Sequence, residues 1–386
     1  MESRLIAASA RSFDSADVWH AVDSLIDRAP SLEDLREHRL QLLAERRWLQ
    51  TGKTVPAPLA AEKTLATALF LPIPSLLSRI ASAWDGPMII LKGPELASRY
   101  PEGLLRTAGD IDLLVDDADA VHAALRTAGF VVTGDPRRYV DIHHLQPLIW
   151  PRLPVRIELH HAPKWIAGLE PPSTAELLGH AVPARAGTEG FQTLAPAAHV
   201  VVLAVHAWAH EPLRSLRDLI DIAILSAEAD LEDIDRLARR WGVSAVWRTT
   251  HAVVEALFAE GPRPLALRLW ARHLEATRGR TVGESHLERW LSPFWALPAR
   301  TALQRTARRI AEELRPVPGE LWRTKLARAR LAVRNARVRR SSHQRLLEEA
   351  RLATPPALLL DRVHRRRGNV ATTNERVRDE SEEEPR

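Results

Sequence analysis

The alternation Asp110-Ile111-Asp112-Leu113-Leu114-Val115 constrains this chain more than any other segment. Side chains on a strand alternate with a period of two. A strand here therefore presents both carboxylates on one face, about 6–7 Å apart, with Ile111 on the other. Two carboxylates on one face repel each other and are costly to desolvate. A hard divalent cation removes both penalties, because Mg²⁺ takes oxygen ligands and completes its shell with water and substrate phosphates.

The segments on either side extend the pattern. Met88-Ile-Ile-Leu91 is an apolar run with Gly-Pro on both sides, which reads as a buried strand. It turns at Lys92-Gly93 into a short helix begun by Pro94 and continued from Glu95 to Tyr100. A small residue at such a turn lets a phosphate approach the backbone, and Lys92 adds a cation. Gly103 and Gly109 bracket a loop. Asp116 or Asp117 caps a helix running to Ala128, with Gly129 as its stop. Apolar runs at His144–Trp150 and Val155–His160, linked by Pro151-Arg-Leu-Pro154, suit a hairpin. Glu158 lies between two aliphatic residues in the second run. If that strand lies beside the Asp110 strand, the three carboxylates share one cleft, as a two-metal phosphoryl-transfer site requires.

These residues resemble the DNA polymerase β-like nucleotidyltransferase superfamily, and within it an uncharacterised bacterial nucleotidyltransferase family. The resemblance rests on Leu91-Lys92-Gly93, on Arg106, on the Asp110–Val115 run and on Glu158-Leu159-His160. It reaches His206, His210 and Leu216-Arg217-Asp218-Leu219-Ile220-Asp221, and so covers about Pro87 to Ala227. It implies transfer of a nucleoside monophosphate from an NTP, with ATP as the expected donor, to an acceptor hydroxyl or phosphate. Asp110 and Asp112 would hold Mg²⁺ (or Mn²⁺), with Glu158 serving the catalytic metal or the acceptor proton. Lys92 and Gly93 would cradle the β- and γ-phosphates. Arg106 would pair with a phosphate or with Asp110. The superfamily's Gly-Ser turn is absent, so phosphate binding would rest on Lys92 and main chain, and Pro94 removes one backbone donor.

The remaining histidines read less sharply. His206 and His210 share a helix face and either line the cleft or pack within the helices. Neighbours on a strand point opposite ways, so one at most of His143-His144 and one of His160-His161 faces the site; His160 is preferred because it follows Glu158 by two. Arg217 and Asp221, four apart, read as a surface ion pair.

The expected architecture is α+β: a small mixed β-sheet nucleotidyltransferase core in a mainly helical chain. The expected division is an N-terminal helical region over 1–84, the core over 85–165, a helical domain completing the cleft over 166–300, a basic helical region over 301–367 and a disordered tail over 368–386. The strongest helices after Pro163 are Ala197–His210, Leu213–Ala227 and Leu231–Trp241. Ser31 and Asp34 form a variant capping box in the N-terminal region. Twelve scattered tryptophans suggest helical core rather than a base-stacking platform. Arg323–Arg351 reads as a basic amphipathic helix with Leu326, Leu331, Val333 and Leu346 on its apolar side.

Composition narrows the class. The 386 residues include no cysteine, which removes disulfides and thiolate metal sites and fits a reducing compartment. The N-terminal sequence has no signal-peptide pattern, and the longest apolar run noted, Ala197–Ala209, is too short for a membrane span. A cytoplasmic location is expected, with no membrane span. The net charge of +5 admits an anionic partner, nucleic acid included, although arginine-coated solvated helices are the favoured explanation. The rival reading is a catalytically degenerate protein of the same fold that binds nucleotide or RNA. A closer variant transfers the γ-phosphate instead. The acceptor is not legible.

Overall fold

A computed structural model describes residues 14–107, 109–140, 142–186, 189–341 and 344. Residues to 337 form one unit and those from 338 a second; the account below concerns the first. The tail expected to be disordered over 368–386 lies outside the described residues.

Five helices precede the sheet: α1 (Ser15–Arg28), α2 (Leu32–Glu37), α3 (Gln41–Gln50), α4 (Ala57–Phe70) and α5 (Ile73–Ala83). Ser31 caps α2 by accepting from Asp34 N. The reciprocal half of the expected box is missing, because the Asp34 carboxylate accepts from Ser31 Oγ and from Gly279 N instead. The strands follow. β1 (Met88–Ile90) leads through a one-turn α6 (Pro94–Ala97) to β2 (Asp110–Val115) and α7 (Ala118–Thr127), and then come β3 (Val131–Val132), β4 (Leu148–Ile149) and β5 (Arg156–His160). The helix expected to run to Tyr100 is thus much shorter. Beyond α8 (Thr174–Leu178), β6 (Ala181–Pro183) and β7 (Phe191–Leu194) fall in a region expected from the sequence to be helical.

The order β3-β4-β5-β2-β1-β7-β6 makes a mixed sheet. β1 runs antiparallel to β2, whereas β5 lies parallel to β2 and β7 parallel to β1. The β4–β5 hairpin is as expected. Alternation separates two apolar layers. Met88, Ile90, Ile111, Leu113, Ile157 and Leu159 pack against α5 and α7. Ile89, Leu91 and Leu114 face the helices that follow.

Those helices are α9 (Pro196–His210), α10 (Leu216–Ser226), α11 (Leu231–Arg240) and α12 (Ser244–Phe258). α9 is buried nearly all round, as expected for a helix apolar on every side, and packs against α10, α11, α12 and β7. Among the described residues six further helices follow: α13 (Leu265–Leu269), α14 (Arg272–Glu275), α15 (Val282–Leu291), α16 (Pro293–Ala296), α17 (Ala299–Leu314) and α18 (Trp322–Arg334). Trp208, Trp247 and Trp270 are buried among them, so tryptophan does serve the helical core. α18 does not continue toward Arg351. It ends at Asn335, its Leu326 and Val333 are exposed, and Leu346 lies outside the described residues.

One stretch escaped the sequence reading. Ala57–Ala83 is apolar and long enough to cross a membrane by length and composition. Here it is two helices broken at Leu71-Pro72, and α5 commits Ile73, Leu76, Leu77 and Ile80 to the core beneath the sheet.

The turn after β1 fixes the site's floor. Gly93 has φ +66°, and a Cβ there would stand 2.8 Å from the Asp110 carbonyl oxygen. Both the left-handed backbone and the close approach require glycine. Gly93→Ala is expected to lower stability by about 2 kcal/mol or more, read as a shifted denaturant midpoint at constant slope. A loss under ~0.5 kcal/mol would show that the turn relaxes freely.

Candidate functional site

The parallel register of β2 and β5 sets Asp110 against Arg156, Asp112 against Glu158, and Leu114 against His160. Residues two apart share a face, so Asp110, Asp112, Glu158 and His160 stand on one side of the sheet. The same face carries Leu114 into the helical core, so the polar row lies where that core gives way to a cavity of about 530 Å³. Lys92, Gly93 and Arg106 line the cavity from the β1 side; His206, His210, Arg217 and Asp218 line it from α9 and α10. All nine residues singled out from the sequence thus border one space.

Within the row, Nε2 of His160 donates to Oδ1 of Asp112 at 3.0 Å. The carboxylate can only accept, which fixes the proton on Nε2. His160 is buried, not at the rim. Burial alone would push the Asp112 carboxyl up, but the hydrogen bond from His160 and the charges of Lys92 and Arg106 hold it below the usual carboxylate range. Glu158 behaves oppositely. Burial and then the charges of Asp112 and Asp110 push it up to about 7. The neighbouring carboxylates thus take different protonation states near neutrality.

Ligand atoms of Asp112, Glu158 and His160 all lie within 4.8 Å of one another. Two carboxylate oxygens and one imidazole nitrogen at that spacing fit a divalent cation such as Mn²⁺, Mg²⁺ or Zn²⁺. Asp110 shares the face but stands outside this tight group, nearer the mouth.

Several expectations change. Arg106 does not pair with Asp110. Its Nε and Nη2 donate to Asp221 at 2.9 and 2.7 Å, and its Nη1 donates to the Gly93 carbonyl at 3.3 Å. Tyr100 also donates to Asp221, at 2.9 Å. Asp221 is therefore buried in a clamp between the β1 turn and α10, and it is no surface partner of Arg217. Arg217 instead donates to the Thr107 carbonyl at 3.0 Å and lines the cavity.

His143 and His144 both border the cavity, against the expectation of one at most. The reason is a bulge. Leu148 opposes Ile157, yet His144 opposes His160, so β4's side carries one extra residue across that interval. The extra residue turns His144 onto the face of His160, and His143, in a bend outside any strand, is not held to the alternation. His144 Nε2 comes within 3.9 Å of Glu158, and the ring of His143 lies 5.3 Å from that of His160. Sequence offers no signal for this bulge. For His160 and His161 the expectation holds, with His161 exposed.

Lys164 was also missed. It follows β5 by four residues, and its Nζ lies 2.8 and 3.1 Å from the two ring nitrogens of His210. Burial and then Lys92 depress its pKa, and burial and then Lys164 push His210 down to about 4. His206 is lowered by burial first and then by Lys92. Arg39, from the end of α2, lines the cavity with a left-handed backbone at φ 59°.

A family model described as an uncharacterised nucleotidyltransferase matches residues 76–259, from within α5 to the end of α12. No curated protein matches the chain.

The Glu158 shift gives a measurable stability signature. Folded Glu158 keeps its proton up to about pH 7, whereas its ordinary value is 4.5. Its contribution is therefore full below about 4.5 and is lost as pH rises through 7, by about 3 kcal/mol in all. Glu158→Gln removes that loss. In chelator, the stability of the variant minus that of wild type should grow with pH between 4.5 and 8 by up to ~3 kcal/mol. A difference flat with pH would show that Glu158 does not sit in a carboxylate cluster.

Proposed function

We propose that the chain transfers a nucleoside monophosphate from ATP to an acceptor hydroxyl or phosphate in a Mg²⁺- or Mn²⁺-dependent reaction, a reading supported by the match of residues 76–259 to the uncharacterised nucleotidyltransferase family. The observation that carries this reading is the β2–β5 register. It sets Asp112 opposite Glu158 and leaves both, with His160, within ligand distance of one point in the cavity.

Asp112 and Glu158 would hold the divalent cation, with His160 joining them only where the cation displaces the Nε2 proton that His160 otherwise gives to Asp112, and with Asp110 on the same face for a second. When bound, the cation neutralises charge on the triphosphate and makes the acceptor oxygen a better nucleophile. The chain's own groups do the rest. Lys92 supplies a cation beside the turn that Gly93 keeps free of side chain, where the β- and γ-phosphates would lie. The acceptor oxygen forms its bond to the α-phosphorus as the bond to the β-phosphate oxygen breaks, and pyrophosphate leaves. Glu158 must give up its proton to serve as ligand, so metal affinity should rise with pH up to about 7. The acceptor's proton then passes to a carboxylate oxygen or to water. His160 keeps Asp112 ionised and oriented.

The test needs no acceptor. Thermal stability is measured with each of the four NTPs, with and without Mg²⁺, in wild type and in the Asp110→Asn/Asp112→Asn double variant. The expected result is a rise of a few degrees with ATP that requires both the cation and the carboxylates, corresponding to about 2.7 kcal/mol at 100 times Kd. Stabilisation that survives carboxylate loss would favour a binding protein of the same fold. No stabilisation by any NTP would overturn the reading. Product labelling with α- rather than γ-labelled nucleotide then separates nucleotidyl from phosphoryl transfer.

A further inference from the structure

The sheet order separates two cationic groups that the cavity brings together. Lys92 follows β1, on one side of the carboxylate strand β2, and Lys164 follows β5, on the other. Around Lys164 stand His210 and, from the bulged segment beside β5, His143 and His144. The His161 N–H donates to the His143 carbonyl at 3.2 Å, which ties that segment to the chain leading to Lys164.

Displacement at phosphorus runs with the attacking and leaving oxygens roughly in line. If the leaving pyrophosphate lies over Lys92 and Gly93, the acceptor oxygen arrives from the β5 side. It therefore meets the wall that Lys164, His210 and His143 build. The charge of that wall restricts what it can receive. Among the described residues no carboxylate oxygen lies within ion-pair distance of Lys164, and its Nζ hydrogen-bonds with the ring of His210. His210 is held neutral, pushed down to about 4 by burial first. A half-buried ammonium with no carboxylate at ion-pair distance, which Glu158 and Asp112 reach only at longer range, is a positive site that an anionic group would complete.

Resting on the nucleotidyltransferase reading, we propose that Lys164, with His210 and His143, forms the acceptor subsite and that the acceptor carries an anionic group, a phosphate or a carboxylate, which Lys164 binds.

The test uses the full chain saturated with Mg²⁺ and a non-hydrolysable α,β-methylene analogue of ATP, at low ionic strength. Inorganic phosphate and malonate are then titrated by calorimetry. The expected result is that one of the two binds the loaded wild type, and which one names the acceptor's anion. Lys164→Gln should weaken that anion tenfold or more while changing the affinity for the analogue less than twofold. Lys164→Arg should retain the anion within a few fold, which guards against a merely misfolded variant. Lys92→Gln should do the reverse, weakening the analogue tenfold.

The inference is overturned if loaded wild type binds neither anion, or if Lys164→Gln weakens the analogue as Lys92→Gln does, which would assign Lys164 to the donor. Failure of wild type to bind the analogue at all overturns the nucleotidyltransferase reading itself, and the acceptor assignment with it.

Discussion

The cavity exists because one buried ion pair holds its two walls at a fixed spacing. Arg106 reaches from the loop before β2 to Asp221 on α10 with two parallel hydrogen bonds, and its third donor grips the Gly93 carbonyl. Tyr100 satisfies Asp221 further. Buried pairs of this kind add little net stability against an apolar replacement, since desolvation offsets most of the attraction. What they supply is geometry. A bidentate fork tolerates little rotation, so the β1 turn, the strand carrying Asp110 and Asp112, and the helix carrying Arg217 and Asp218 are positioned together. Removing Asp221 would leave a buried guanidinium uncompensated, and the turn and helix would lose their common reference.

That fixed spacing lets the carboxylate row keep opposed protonation states. Asp112 has a hydrogen bond from His160 and two nearby cations, so it stays ionised despite burial. Glu158 lies against two aspartates with a weaker imidazole contact at 3.9 Å, and its carboxyl rises to about 7. The register alone would put the two groups in equivalent places, side by side on parallel strands. The difference comes from burial and from the neighbours each meets, His160, Lys92 and Arg106 for Asp112 and the two aspartates for Glu158, and a sequence does not contain that information.

The same distinction explains what could be read in advance. The elements at β1, β2, β5, α7 and α9 to α11 follow from periodicity, punctuation and caps, which are local. The shared face of Asp110, Asp112 and Glu158 follows from strand parity once β5 pairs with β2. Where a partner is chosen by tertiary contact, local rules fail. Arg217 and Asp221 have ideal helical spacing for a pair, yet Asp221 is claimed by Arg106, 115 residues away in sequence. His143 and His144 obey strand parity only if the hairpin is regular, and one extra residue and a bend outside any strand break that regularity. β6 and β7 are three and four residues long and gain their identity from pairing with each other and with β1. Lys164 carries no motif at all; only the fold sets it beside His210.

The segment 76–259 holds the sheet and α9 to α12, but it does not hold the whole cavity wall. Glu37 and Arg39 reach the cavity from α2 and its turn. Arg39 sits at the position after the cap where glycine is usual, with Leu40 N bonded to Leu35 O and Arg39 N to Arg36 O. A left-handed arginine there costs roughly 1 kcal/mol. It persists because the turn is held from both sides. Asp34 accepts from Gly279 N, and His38 donates from Nε2 to the Arg278 carbonyl while accepting from Leu216 N at Nδ1. That bonding requires neutral His38, consistent with burial pushing it down to about 4. The N-terminal helices are thus fastened to the start of α10 and to the segment before α15, and through them an arginine outside the family segment is presented to the site. Divergence in those helices would change the cavity's charge while leaving the carboxylates and the β1 turn untouched. In such an arrangement the carboxylate row is set by the sheet, and the rest of the cavity is open to whatever packs above it.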